Sequence, residues 1–287
     1  MTALASTPYG VWLGTGALPD DPAALRELAA GIEELGFSAL WLGGSWGADL
    51  STPAELLAGS SSLVVGTSIA NIWRDPAEAL AASYAEVAAT HGDRFVLGVG
   101  PGHHVQTQFN QGRYAKPLTR LREYLEALDA AQPPVPVERR AVSALGPKAL
   151  ELARDRTAGA LPYLTTPEHT RQARGIVGAD TFLAPEQKVV LSADPAQARS
   201  LARGALEHYL ELPNYVNAWR RLGFAESDFE AGGSDDLIDA LFSWGEDPLV
   251  KVRGHLEAGA DHVCVQPIVE KGAAPLDALR IIAAALL

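Results

Sequence analysis

Eight short runs of β-branched and aromatic residues alternate with helical patterns along this chain: Gly10 to Leu13, Ser38 to Leu42, Leu63 to Ile69, Phe95 to Val99, Val137 to Ser143, Ala160 to Leu164, Lys188 to Leu191 and His262 to Gln266. After each comes a proline suited to the first turn of a helix, at Pro22, Pro53, Pro76, Pro117, Pro147, Pro167, Pro195 and Pro275. Proline lacks an N–H, which the first turn leaves unbonded in any case, and its φ is already helical. Strands alternating with helices build a parallel sheet. Repetition of the unit predicts a closed (β/α)8 TIM barrel, in which about 250 residues share one core. The 287 residues are therefore expected to form a single domain over 1–287.

Local signals sharpen the boundaries. Thr52 with Glu55, Asp75 with Glu78 and Asp194 with Gln197 have capping-box spacing, where two side chains satisfy each other's free backbone N–H groups. Glu34-Leu35-Gly36-Phe37 and Glu257-Ala258-Gly259-Ala260 read as helix ends, with glycine taking the left-handed position. The regular spacing fails after the fourth strand, at His103 to Lys116, and after the seventh, at Leu206 to Gly245. Both insertions fall at strand carboxyl ends, where barrel enzymes keep their active sites. The aromatics of the second, Tyr209, Tyr215, Trp219, Phe242 and Trp244, read as core or as a pocket wall against an apolar substrate.

Composition narrows the partners. A net charge of -12 argues against nucleic acid, because phosphate backbones select basic surfaces. The single Cys264 excludes a disulfide framework and points to a reducing, cytoplasmic setting. No apolar run reaches the roughly 18 residues of a membrane span, and the histidines are not spaced as metal pairs, so neither a membrane nor a catalytic metal is expected.

The chemistry concentrates in Arg94-Phe95-Val96-Leu97-Gly98-Val99-Gly100-Pro101-Gly102-His103-His104, a strand running into a glycine-rich turn. As a dinucleotide fingerprint it is poor, since the third glycine falls on His103, and it lacks the Lys-Ser/Thr of a phosphate loop. His103 follows the strand directly, so it stands on the catalytic face as a proton-transfer candidate or is an exposed loop histidine. Gly146-Pro147-Lys148-Ala149 opens a helix whose free N–H groups suit a phosphate, with Lys148 as an added cation or as an ordinary exposed lysine.

Three segments, Gly66 to Pro76, Arg94 to Gly102 and Ala144 to Ala149, resemble the luciferase-like monooxygenase superfamily, particularly its branch that uses the deazaflavin coenzyme F420. The resemblance runs from about Gly10 to Leu287. It implies a non-proline cis peptide at Ser68-Ile69 supporting the central ring of a flavin or deazaflavin. It further implies cofactor contacts from Asn71, Pro101, Gly102 and Gln106, with Leu145, Gly146, Lys148 and Ala149 around the phosphate. His103 stands where related dehydrogenases carry a catalytic acid, and Arg74 matches a family arginine that binds cofactor or, the favoured reading, forms a structural salt bridge with Asp75 or a neighbouring acid.

One departure is Gly43-Gly44-Ser45, where family members often place an acid or histidine. The implied function is an F420-dependent oxidoreductase moving a hydride to or from a small organic substrate. The alternatives are an FMN-dependent monooxygenase and a catalytically silent cofactor-binding barrel. Homodimers are the association the resemblance implies.

Overall fold

The computed structural model describes residues 7–270 and 273–287. Its strands are β1 (Tyr9–Gly14), β2 (Ala39–Trp46), β3 (Val64–Asn71), β4 (Phe95–Gly100), β5 (Arg140–Ser143), β6 (Gly159–Leu161), β7 (Phe182–Leu183), β8 (Glu186–Val190), β9 (Phe242–Ser243) and β10 (Val263–Ile268). All pairings are parallel, in the order β7-β6-β5-β4-β3-β2-β1-β10-β8-β9. Only Ala184 and Pro185 separate β7 from β8 in the chain. On one side of this two-part strand, Ala184 N donates to Ala160 O at 3.0 Å and Glu186 N to Pro162 O at 2.9 Å; on the other, Cys264 N donates to Pro185 O at 2.9 Å. The sheet thus curls round, barrel-like, with helices outside it. Pro185 has no N–H for the β10 ladder, so that ladder becomes regular only beyond it.

The eight expected strands are all present, with corrected limits. The fifth starts at Arg140 because Val137–Arg139 forms a 3₁₀ turn. The sixth stops at Leu161, and Leu164 takes a positive φ of 53°. The seventh begins at Glu186 and is preceded by β7. β9 has no counterpart in the sequence pattern: it comes from the second insertion and pairs Phe242 with Lys188 and Ser243 with Val189, beyond the level at which β6 ends.

Six of the eight prolines are first residues of helices: Pro22–Glu34, Pro117–Ala130, Pro147–Arg156, Pro167–Val177, Pro195–Leu206 and Pro275–Leu286. Pro76 immediately precedes Ala77–His91, and Pro53 lies within the first turn of Ser51–Ala58. The three expected capping boxes do not form as pairs. Thr52 lies inside its helix, and Asp75 Oδ2 accepts from Ala48 N at 2.9 Å. Asp194 does cap, accepting from Ala196 N at 3.0 Å, but Gln197 Oε1 accepts from Ser192 Oγ at 2.8 Å instead. Gly36 and Gly259 end their helices at φ of 91° and 101°.

The barrel core joins residues such as Val11, Leu40, Leu97 and Val265, whereas the 206–245 segment packs a second apolar cluster of Leu212, Trp219, Leu237, Ile238 and Phe242. Trp219 is fully buried and its Nε1 donates to Leu164 O at 3.2 Å. That bond ties the insertion to the end of β6. No helix among the described residues is long and apolar enough to cross a membrane.

Candidate active site

A cavity of 540 Å³ opens at the carboxyl ends of the strands, a volume in the range of roughly 300–1,000 Å³ typical of ligand pockets. Its back is the bulge of β3. The β3–β4 register shifts between Gly66 and Ala70, so the regular ladder is lost there. Thr67 replaces it: its hydroxyl donates to Gly98 O at 2.8 Å and accepts from Gly98 N at 3.0 Å. The Ser68-Ile69 peptide within this bulge is cis, as the resemblance implied. Trp12 Nε1 donates to Ser68 Oγ at 3.1 Å, and the Trp12 ring leans on Tyr163 with centroids 4.9 Å apart.

The turn after β4 is braced from beneath. Gln106 Oε1 accepts from His103 N at 2.9 Å and Asn71 Nδ2 at 3.2 Å, while its Nε2 donates to Ser45 Oγ at 2.9 Å. Gly102 has φ of 56°, and a Cβ there would lie 2.4 Å from Gln106 Oε1 and 2.5 Å from Asn71 Nδ2. Glycine is therefore required by both conformation and space. Asn71 is 3% exposed and sits behind this turn, outside the lining. Ser68, Ile69, Pro101, Gly102, His103, Gln106, Leu145, Gly146 and Ala149 all line the cavity.

Lys148 is exposed and stands outside the lining. The cation at this end is instead Arg221, from the second insertion, whose Nη2 would lie 3.6 Å from a Cβ on Gly146. Among the described residues no carboxylate pairs with Arg221 within 4 Å, and burial lowers its pKa. Gly146 gives the Pro147–Arg156 helix no side-chain cap, leaving its N-terminus open to an anion. Arg74 hydrogen-bonds Ser45 O at 2.8 Å and approaches Asp75 at 3.9 Å, the structural role expected of it.

His103 lies beside Tyr215 and His208, with ring centroids 5.7 and 6.5 Å away. Its Nδ1 is buried without a partner among the described residues. Burial, reinforced by His208 and His104 and opposed by Asn214, pushes its pKa down to about 4. The imidazole is therefore neutral at pH 7. Among the described residues no aspartate or glutamate lines the cavity.

The aromatics of the second insertion divide by position. Tyr209 and Tyr215 line the cavity, Trp219 and Phe242 belong to the core, and Trp244 bonds Asp239 Oδ1 at 3.2 Å beneath Arg199. Below the tyrosines lies a group that the strand pattern did not single out. Glu186 and Lys188, 2% and 1% exposed, form an ion pair at 3.1 Å. Burial raises the carboxyl pKa and lowers that of the amine, and their mutual attraction opposes both shifts. Opposite charges two residues apart on one strand share a face, and that spacing was the available signal.

This barrel-like architecture, with a cavity at its strand ends and a cis peptide in the third strand, belongs to a known class. The sequence profile of the luciferase-like monooxygenase family matches residues 1–238. The chain is a member of that family. Among solved structures, an F420-dependent secondary alcohol dehydrogenase in complex with an F420-acetone adduct is 16% identical, with a TM-score of 0.72 over 98% of this chain and 99% of that one. The coenzyme F420 dependent tetrahydromethanopterin reductase from Methanopyrus kandleri is 16% identical, with a TM-score of 0.67 over 97% and 98%. The FMN-bound oxygenating constituent of 3,6-diketocamphane monooxygenase from Pseudomonas putida is 15% identical, at 0.63 over 96% and 97%. No functionally curated protein matches the chain by sequence. At these identities the structural likeness speaks to the fold.

Proposed function

We propose that this chain is an oxidoreductase that moves a hydride between coenzyme F420 and a small organic substrate, with His103 handling the accompanying proton. The observation that carries the reading is His103 itself: an imidazole on the cavity wall, held neutral by burial, with its buried Nδ1 lacking a partner among the described residues. A neutral imidazole accepts a proton as alcohol is oxidised and returns it in the reverse direction. The deazaflavin, when bound, supplies a two-electron hydride carrier.

The residues fit such a group. Ser68, Ile69, Pro101 and Gly102 offer a wall for a flat ring system, held rigid by Gln106 with Asn71 beneath. Leu145, Gly146 and Ala149 border the open N-terminus of the Pro147–Arg156 helix, and Arg221 supplies the cation that a phosphate needs. Lys148 is exposed and remains a weaker candidate for that role. The insertion rings exclude water from the space between cofactor and substrate. The reading also takes residues 1–287 as one unit acting as a cytoplasmic homodimer; sedimentation velocity checks the association.

Parallel titrations with F420 and FMN, followed by oxygen-uptake assays on the reduced protein, test the proposal. F420 binding with hydride exchange and no oxygen uptake is expected. Preferential FMN binding with oxygen consumption makes the chain a monooxygenase, and absence of turnover in a substrate screen makes it a silent binder.

A further inference from the structure

The tyrosine wall of the cavity has a fixed hydrogen-bond direction. Lys188 Nζ is 3.1 Å from Glu186 Oε1, 3.2 Å from Gln266 Oε1 and 3.8 Å from the centre of the Tyr163 ring, so all three of its protons are engaged. An ammonium group has donors only, so the Gln266 atom that meets it is the carbonyl oxygen. The Tyr163 hydroxyl, 3.1 Å from that same oxygen, must donate to it. Its one proton is then committed, and Tyr209, 3.0 Å away, must donate to Tyr163. Burial raises the pKa of both phenols, which keeps both protons in place. The chain ends on the free lone pairs of the Tyr209 oxygen, and Tyr209 lines the cavity.

We propose that this end of the cavity is a subsite for a hydrogen-bond donor, which takes the hydroxyl of an uncharged aromatic alcohol in preference to the corresponding aldehyde. The proposal rests on the hydride-transfer reading only in assigning this half of the cavity to substrate. Trp12, Tyr163 and Tyr215 offer ring faces for the apolar body. An ammonium donor is disfavoured, because among the described residues the lining holds Arg221 and no carboxylate, while the buried Glu186 nearby is already paired with Lys188.

The test compares benzyl alcohol with benzaldehyde by calorimetric titration, in wild type and in Tyr163→Phe, on protein with and without F420. In wild type the alcohol should bind roughly five- to tenfold more tightly, the worth of one neutral hydrogen bond. Tyr163→Phe keeps the ring over Lys188 and frees the Tyr209 hydroxyl either to donate to the ligand or to accept from it, so the two compounds should bind within about twofold of each other. A thermal melt checks that the variant is folded. Equal affinities in wild type, an unchanged preference in the variant, or no binding of either compound up to its solubility limit overturns the subsite. If F420 fails to bind but the alcohol preference and its loss in Tyr163→Phe remain, the hydride-transfer reading falls and the subsite stands; if F420 binds and the wild-type preference is missing, the subsite falls and the hydride-transfer reading stands.

Discussion

The two long walls of the cavity are built by opposite means. The side made by β2, β3 and β4 is shaped by missing side chains: Gly102 lines it, where a Cβ would lie 2.4 Å from Gln106 Oε1, and behind the lining a Cβ on Gly43 would lie 2.0 Å from the Trp12 ring and one on Gly98 2.0 Å from Thr67 O. The facing side, from β6, β8, β10 and the insertion, is crowded with rings, hydroxyls and charges: Tyr163, Tyr209, Tyr215, His208 and the Lys188–Glu186 pair beneath them. A planar cofactor ring needs a rigid surface without protrusions, and a substrate needs groups that distinguish one functional group from another. On the proposed reading the first task falls to the glycine wall and the second to the polar one. His103 stands where they meet, on the turn of the first and against Tyr215 of the second.

That division can be broken most forcefully at the junction. Replacing His103 with alanine should lower kcat by about 10²- to 10⁴-fold, the usual worth of a general acid or base, while F420 affinity moves less than about twofold. Steady-state kinetics and a fluorescence titration read the two separately, and a matching loss of affinity would merge the walls into one function. Because the folded His103 pKa is lowered from 6.5 to about 4, the imidazole stays neutral as pH falls through 6.5. The acid limb of the kcat profile should accordingly lie nearer pH 4, and should vanish in the alanine variant.

A second break targets the glycine wall alone. Gly98→Ala pushes a methyl group onto backbone that has no room to yield, and should cost about 1–3 kcal/mol of stability, measured as a shift in urea midpoint. A neutral outcome would mean that β3 and β4 are not held together by the Thr67 clamp. The smallest expected effect sharpens the cofactor end: Arg221→Met should weaken F420 about tenfold, with the difference shrinking in high salt, whereas Lys148→Met should change it less than about twofold. Equal effects would return the phosphate role to Lys148.

Much of the fold was legible because it obeys short-range rules. Six prolines stand at the first position of helices, and Gly36 and Gly259 end two helices, since those preferences reside in the residue's own backbone. The candidate site was legible in part: His103, Gly102 and the Ser68-Ile69 bulge lie where their segments suggested, all at strand ends. Asn71, at the end of β3, and Lys148, in the first turn of its helix, still miss the lining, because successive residues of a strand or a helix point in different directions. The capping boxes failed because Asp75 accepts from the distant Ala48 N–H and Gln197 accepts from the Ser192 hydroxyl just ahead of its own helix.

By itself, then, the sequence determined the alternation of strands and helices, the helix starts, and a histidine following a glycine turn at the cavity mouth. Only the tertiary structure decided that Arg221 and not Lys148 faces the cavity, that β9 joins the sheet, and that the tyrosine protons run in one direction. The reason is range: Tyr163 meets Gln266 across 103 residues and Trp12 meets Ser68 across 56. No local preference encodes which distant hydroxyl or amide will arrive, whereas a proline's φ needs no partner to be fixed.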